Sequence, residues 1–293
     1  MTATGTGSRD GAFAATDWAI IGALALIWGS AFLWIAIGLD ALAPGVVAWL
    51  RLVLGAGALL LVPRARRRIA RADYRGVLII ALAGNAGPAM FYAVAEQELD
   101  SAVAGMITSA TPIVTLVLAF GLGNRAVTRG QVAGLVAGFG GVVAMAAPDV
   151  LGADAPLAGV GLVLLAVLGY AITNNVVVPL QQRYGGLVVV AHAQVIAAIT
   201  LTPFGLAGLS SSEFDLGPVA AVVFLGIVGT GVARVLSATL VGRTGPQRGS
   251  VVAYLVPVVA VVLGVAVRSE SIEVMQIVGL GFVLFGAALI SRR

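Results

Sequence analysis

Ten long apolar stretches, separated by short polar segments, constrain this chain more than any other feature of its sequence. Each is close to the length of about 20 residues that a helix needs to cross the ~30 Å hydrocarbon core of a bilayer. Because irregular backbone exposed to lipid would leave polar groups without partners, the stretches are expected to be helices. We call them spans 1 to 10; they cover residues 18–39, 45–63, 76–95, 101–121, 130–147, 157–178, 187–208, 217–240, 249–267 and 274–291.

The composition excludes an ordinary soluble enzyme. The 293 residues are 60% apolar and 10% charged, whereas an average soluble domain is about 45–50% apolar and about 25% charged. A soluble protein with this excess would expose large apolar patches. The chain has no cysteine and a single histidine, which excludes Cys-ligated metals and argues against a histidine cluster or a Ser–His–Asp triad. We therefore expect no enzyme, no metal and no cofactor.

The basic residues predict how the spans are oriented. All 17 are arginine, and the formal net charge is +4. If the N-terminus is cytoplasmic, 14 of the 17 lie in cytoplasmic segments, one (Arg268) lies on the other side, and Arg51 and Arg234 lie within spans. Cytoplasmic loops carry an excess of arginine, so both termini are predicted to be cytoplasmic in the inner or plasma membrane. The arginines form no continuous stripe, so no nucleic-acid partner is expected. All 13 acidic residues are expected outside the spans.

The second half of the chain repeats the first at an offset of 145 residues. The matched pairs are Gly84/Gly229, Pro112/Pro257, Gln131/Gln276, Gly134/Gly279 and Gly141/Gly286. Five spans per half is an odd number, so the two halves must enter the membrane in opposite directions. The predicted fold is an all-α membrane protein of ten transmembrane helices, arranged as two inverted five-helix repeats. We divide it into a polar cytoplasmic leader (1–17), a first repeat (18–147) and a second, inverted repeat (157–291).

Three stretches resemble the drug/metabolite transporter superfamily. They are ALIWGSAFLW in span 1, SAVAGMITSATPIVTLVLAFGLG in span 4 and GIVGTGVARVLSATLVGRTGPQRGSVVAYLVPVVAVVLG through spans 8 and 9. The resemblance is to the ten-helix EamA-type branch, and within it most to the YddG-type amino-acid exporters. Where the branch commonly has Glu just after helix 4, this chain has Gly123 and Asn124. The resemblance implies a central cavity surrounded by spans 1, 3, 4, 6, 8 and 9.

The expected function is export of small organic solutes by alternating access. The expected substrates are aromatic and other neutral amino acids or related metabolites. Inverted repeats with a site near the bilayer midplane are a transporter architecture. A nucleotide-sugar or drug-type metabolite carrier is the first alternative. A channel-like membrane protein is the second, although the sequence has neither a filter motif nor a ring of like charges.

Polar and aromatic side chains within the spans are candidates for lining the cavity. Amides in hydrocarbon must find partners, so these side chains either face the solute or join helices. Trp28 provides a flat wall for an aromatic solute or packs against lipid. Arg51 and Arg234 contact a substrate carboxylate or extend to the membrane surface. The predicted cavity residues are Asn85, Tyr92, Met106, Ser109, Tyr170, Asn174, Tyr254, Trp28 and Arg234.

Two further patterns concern helix shape and packing. Pro112 and Pro257 occupy equivalent positions and are predicted to kink spans 4 and 9, although proline is common in membrane helices. Gly130, Gly134 and Gly138 in span 5 allow another helix to approach closely. Packing is the expected role of this glycine face, and a homodimer through it is an alternative. The expected partners are thus a small-molecule solute and the lipid bilayer, and a second copy of the chain is left open as an alternative.

Overall fold

The protein is an all-helical membrane protein. The computed structural model describes residues 14–121, 129–151, 157–244 and 252–291. Within these residues, ten apolar helical segments follow the order of the ten predicted spans. Six are long and apolar enough to cross a membrane, namely Ala15–Leu39, Arg71–Ala95, Ser101–Leu118, Leu157–Tyr184, Gly186–Ser211 and Leu216–Leu240. The shorter apolar helices are Pro44–Leu60, Val132–Gly141, Leu255–Arg268 and Val274–Gly286.

Several spans consist of more than one helix. Two of them contain a π-helical segment, Leu82–Ala86 in span 3 and Leu225–Val232 in span 8. Short 3₁₀ turns occupy Pro63–Arg66, Arg71–Asp73 and Leu209–Ser211. The α-helices are, in chain order, Ala15–Gly29, Ala31–Leu39, Pro44–Leu60, Tyr74–Ala81, Gly87–Ala95, Ser101–Thr108, Thr111–Gly121, Arg129–Leu151, Leu157–Tyr184, Gly186–Gly208, Leu216–Phe224, Ala233–Thr244, Val252–Arg268 and Val274–Ser291.

Span 1 begins at Ala15, three residues before the predicted start, and its first turn contains Asp17. The Asp17 side chain is buried, accepts a hydrogen bond from the backbone N–H of Ala14 at 3.0 Å and pairs with Arg243 at 2.7 Å. An acidic residue in the first turn is favourable because it complements the positive end of the helix dipole. The expectation that every acidic residue lies outside the spans is therefore wrong at Asp17.

The two proline positions differ in their surroundings. Span 4 is interrupted at Ser109 and Ala110, and a new helix begins at Thr111, with Pro112 as its second residue. Three hydroxyl groups near this break, those of Thr108, Ser109 and Thr111, donate to carbonyl groups of their own segment. Span 9, in contrast, runs as one helix from Val252 to Arg268 through the buried Pro257.

The glycine face of span 5 packs against span 10 of the same chain. A Cβ atom added to Gly141 would lie 2.5 Å from the carbonyl oxygen of Gly279, and one added to Gly286 would lie 2.7 Å from the backbone nitrogen of Gly138. The packing role expected for this face is thus seen in the structure. Helix contacts within the chain bury Gly134 and Gly138, whereas Gly130 is exposed. The suggested homodimer through these glycines is not supported.

Polar contacts join the helices at both ends of the bundle. We call one end the arginine end, where Asp73 pairs with Arg183 at 2.8 Å and Asp17 pairs with Arg243. We call the other the acidic end. There Asp40 accepts two bonds from Arg268 at 2.7 and 3.0 Å, and the Glu270 carboxylate accepts bonds from the N-terminus of span 4. That carboxylate contacts the backbone N–H of Ser101 at 3.1 Å, the Ser101 hydroxyl at 2.6 Å and the backbone N–H of Ala102 at 2.9 Å.

Candidate functional site

Three aromatic rings from three spans form a row inside the bundle. Phe32 of span 1 packs edge-on against Tyr92 of span 3, with ring centroids 5.4 Å apart. Tyr92 in turn stacks on Tyr170 of span 6 at 6.3 Å. Phe32 and Tyr92 are buried and Tyr170 is half-buried. Because Tyr92 comes from the first half of the chain and Tyr170 from the second, this row lies where the two halves meet.

A short hydrogen-bond chain holds the phenol of Tyr92 in place. Its hydroxyl lies 2.7 Å from the hydroxyl of Thr108 in span 4, and Thr108 donates to the carbonyl of Ala104 at 2.7 Å. Since the Thr108 proton is used for Ala104, Tyr92 is the donor to Thr108. Thr108 therefore fixes the ring that lies between Phe32 and Tyr170.

Arg234 of span 8 covers the indole ring of Trp28 in span 1. The guanidinium carbon lies 5.9 Å from the ring centroid, which is within the range of a cation–π contact. Arg234 and Trp28 are both half-buried. Two residues that the sequence placed in the cavity are thus brought together across the two halves of the chain, and Arg234 also lies within electrostatic range of Tyr170.

A second half-buried arginine lies within electrostatic range of two rings of the aromatic row. Arg51 of span 2 is within electrostatic range of Tyr92, Tyr170, Arg234 and the carboxyl group of Glu96. Glu96 directly follows the last helical residue of span 3. The Nε atom of Arg51 and both carboxyl oxygens of Glu96 are buried without a hydrogen-bond partner. The row of rings is therefore flanked by an arginine and a glutamate with buried polar atoms that lack a hydrogen-bond partner.

The remaining predicted cavity residues divide into three groups. Asn85, Ser109 and Met106 are buried; Asn85 and Ser109 bond to backbone carbonyls of their own spans. Asn174 is exposed and donates to the Thr115 hydroxyl of span 4 at 3.3 Å, so it joins two helices. The side chains of Tyr254 and Pro112 lie outside what the structure describes.

The two π-helical segments occupy equivalent places in the repeat. In span 3 the amide of Asn85 donates to the carbonyl of Ile80 at 2.9 Å. In span 8 the hydroxyl of Thr230 donates to the carbonyl of Leu225 at 3.2 Å. Donors and acceptors are both related by the 145-residue offset. Such π turns are rare and occur frequently at functional sites, and these two directly precede the parts of spans 3 and 8 that carry Tyr92 and Arg234.

Glu96, Phe32 and Thr108 lie in the candidate site but were not among the cavity residues predicted from the sequence. Glu96 begins the polar segment Glu96–Asp100, which composition alone assigns to a loop. Phe32 is one apolar residue among many in span 1. A usable signal existed for Thr108 only, since it is a polar residue within span 4, next to the predicted Ser109.

Comparison with known proteins places the chain in a family. The EamA-like transporter family matches residues 17–147 and 157–292, which makes two copies of the family's domain. An uncharacterized transporter from Archaeoglobus fulgidus is 26% identical over 276 residues, covering 94% of this chain and 99% of its own. The uncharacterized inner membrane transporter YedA of Escherichia coli K12 is 25% identical over 280 residues, covering 92% and 88%.

Two further similarities extend over nearly the whole chain. A probable terminal-alkyne amino-acid exporter from Streptantibioticus cattleyicolor is 26% identical over 283 residues, covering 94% of this chain and 93% of its own. A solved crystal structure superposes with a TM-score of 0.66 at 18% identity, covering 94% of this chain and 96% of the other; that likeness shows the fold alone. Two family domains, an all-helical fold and full-length relatives agree. This chain is a multi-pass membrane transporter, not an enzyme, and it belongs to the EamA-like transporter family.

Proposed function

We propose that this transporter exports small neutral amino acids, aromatic ones included, by alternating access between two inverted five-helix repeats. The observation that carries the proposal is the row of Phe32, Tyr92 and Tyr170 between the two halves, with Arg234 within electrostatic range of Tyr170. Aromatic faces with a few polar groups are typical of small-molecule sites. The name of the Streptantibioticus cattleyicolor relative, a probable amino-acid exporter, supports the same substrate class, as does the resemblance to the YddG-type exporters.

In this proposal the solute lies between the aromatic row and the Trp28–Arg234 pair. Tyr92, Tyr170, Trp28 and Arg234 would contact it directly. Asn85 would act through the shape of span 3, because its amide is used within the helix. The other predicted residues, which are Met106, Ser109, Asn174 and Tyr254, stay candidates for the cavity in other conformations of the cycle, with Pro112 and Pro257 as the predicted hinges.

Counterflow in proteoliposomes tests this function. Vesicles containing the purified protein are loaded with unlabelled L-leucine or L-phenylalanine and diluted into the labelled amino acid. We expect saturable uptake that depends on the internal amino acid, since alternating access couples entry to exit. Vesicles loaded with a nucleotide sugar serve as the comparison. Exchange of the nucleotide sugar without exchange of any amino acid would support the first alternative, and ion conductance without saturable exchange would support a channel.

A labelling experiment tests the proposed orientation. The chain has no cysteine, so single cysteines can be introduced without other changes. Ala72 at the arginine end and Ser210 at the acidic end are both exposed. We expect a membrane-impermeant thiol reagent added to intact cells to label Ser210→Cys and to spare Ala72→Cys until the cells are opened. Labelling of Ala72→Cys alone in intact cells would reverse the proposed topology.

A further inference from the structure

Two ionisable side chains of opposite sign, Arg51 and Glu96, have buried polar atoms inside the protein and do not form an ion pair with each other. They lie within electrostatic range of one another. Among the described residues, ion pairs join Asp73 to Arg183, Asp17 to Arg243 and Asp40 to Arg268; the Arg51–Glu96 couple is not one of them. The buried Nε of Arg51 and both buried carboxyl oxygens of Glu96 have no hydrogen-bond partner.

Such an arrangement is unfavourable for the protein alone. Buried charges need a partner and hydrogen bonds to offset the loss of hydration, and most buried polar groups in proteins have them. Here the Nε atom of Arg51 and both carboxyl oxygens of Glu96 lack such a hydrogen bond. A ligand that carries a negative and a positive group of its own would complete both of them at once.

We propose that Arg51 and Glu96 bind the two charged groups of an α-amino acid zwitterion. The carboxylate of the substrate bonds to the guanidinium of Arg51, whose planar fork matches carboxylate geometry. The ammonium group bonds to the carboxylate of Glu96. The substrate side chain lies along Tyr92 and Tyr170, which are both within electrostatic range of Arg51. This inference rests on the proposed function and assigns its substrate class to named residues.

The charge balance of the cluster favours a zwitterion over a polyanion. A nucleotide sugar carries two negative phosphates, which Arg51 and Arg234 would attract but Glu96 would repel. A simple amine would be attracted by Glu96 and repelled by both arginines. Only a ligand with one charge of each sign satisfies Arg51 and Glu96 together.

Competition against labelled L-leucine in wild-type proteoliposomes is the first part of the test. The competitors are 3-methylbutylamine, which is leucine without its carboxylate, and 4-methylpentanoate, which is leucine without its ammonium group. Both keep the leucine side chain. We expect each analogue to compete at least about tenfold more weakly than unlabelled leucine, because each leaves one buried charge without a partner.

The second part asks whether each variant changes the preference for the matching analogue. In Glu96→Gln, leucine should bind about tenfold more weakly, and 4-methylpentanoate should gain relative to leucine by a similar factor. In Arg51→Gln, 3-methylbutylamine should gain in the same way. If Arg51→Gln does not accumulate, Arg51→Lys keeps the buried charge but loses the fork, and a smaller gain for the amine is expected. Glu98→Gln and Arg75→Gln, which alter exposed residues, are the matched controls.

The outcomes separate this inference from the proposed function. Wild-type leucine counterflow together with unchanged analogue ratios in the Glu96 and Arg51 variants would overturn the zwitterion site and leave the proposed function standing. A lower transport rate in these variants with unchanged ratios of analogue to leucine competition would also overturn it. A structural defect lowers the rate but does not alter the preference between analogues. Absence of any amino-acid counterflow by the wild-type protein would overturn the proposed function and the site with it.

Discussion

Replacing Gly141 by leucine is expected to lower the unfolding temperature of the detergent-solubilised protein by roughly 10 °C. The Cβ atom alone would lie 2.5 Å from the carbonyl oxygen of Gly279 and 2.8 Å from the backbone nitrogen of Val283. These are backbone atoms of span 10, which cannot turn aside as a flexible side chain can. The variant must therefore push span 5 away from span 10, where the contact depends on close approach of the two backbones.

The neighbouring Gly140 supplies the matched control for this prediction. A Cβ atom at Gly140 meets no atom within 4 Å, and the residue is exposed. Gly140→Leu adds the same volume one position away and should leave the unfolding temperature within about 2 °C of the wild type. Thermal unfolding followed by intrinsic fluorescence compares the two variants directly. Equal losses in both, or no loss in either, would contradict the assigned packing.

The repeat explains why this packing could be foreseen from sequence. Gly134 and Gly279, and likewise Gly141 and Gly286, are equivalent under the 145-residue offset. The structure places Gly141 against Gly279 and Gly286 against Gly138. A glycine face on one helix indicates that some backbone approaches it closely, and the repeated glycines in span 10 are a natural complement. What sequence left open was whether the partner helix belongs to the same chain or to a second copy.

The site was less predictable, because its charged part depends on how a loop folds. Glu96 lies in a segment that hydropathy assigns to the surface, yet its carboxyl oxygens are buried. Asn174 shows the reverse case. It shares a helix face with Tyr170 at a spacing of four residues, but it is exposed and bonds to Thr115. Helical periodicity gives the direction in which a side chain points from its own helix axis. It does not say whether a neighbouring helix buries that side chain.

The two π turns could not be predicted from the hydropathy pattern either. Hydropathy periodicity assumes 3.6 residues per turn, so an added residue in one turn is invisible to it. The polar residues Asn85 and Thr230, each directly after a repeated glycine, were the available sign. Asn85 and Thr230 are equivalent under the 145-residue offset, but their side chains differ. The equivalence became clear only because the structure shows each of them donating to the carbonyl five residues earlier.

Removing the donors at the two π turns is expected to reduce transport while the protein stays folded. A π turn contains one more residue than an α turn, so its loss rotates all later residues by about 100° around the helix axis. In span 3 this rotation would move Tyr92 and Glu96 away from Arg51, and in span 8 it would move Arg234 away from Trp28. Asn85→Leu and Thr230→Val each remove a hydrogen bond to a backbone carbonyl within the span, and with it the support for the wide turn.

We expect each of these variants to lower the initial rate of L-leucine counterflow by at least about tenfold. This is the effect expected from the loss of one hydrogen bond to a charged group. Thr239→Val is the matched control. Thr239 lies in span 8, like Thr230, and donates to the carbonyl of Val235, four residues earlier, within a regular helix. The same hydroxyl is removed there without a π turn to lose, so its transport rate should stay close to that of the wild type. Unfolding temperatures of all three variants are measured alongside, since a fold defect would lower them together with the rate. Wild-type rates in Asn85→Leu and Thr230→Val, or an equal loss in Thr239→Val, would show that the two π turns do not set the positions of Tyr92, Glu96 and Arg234.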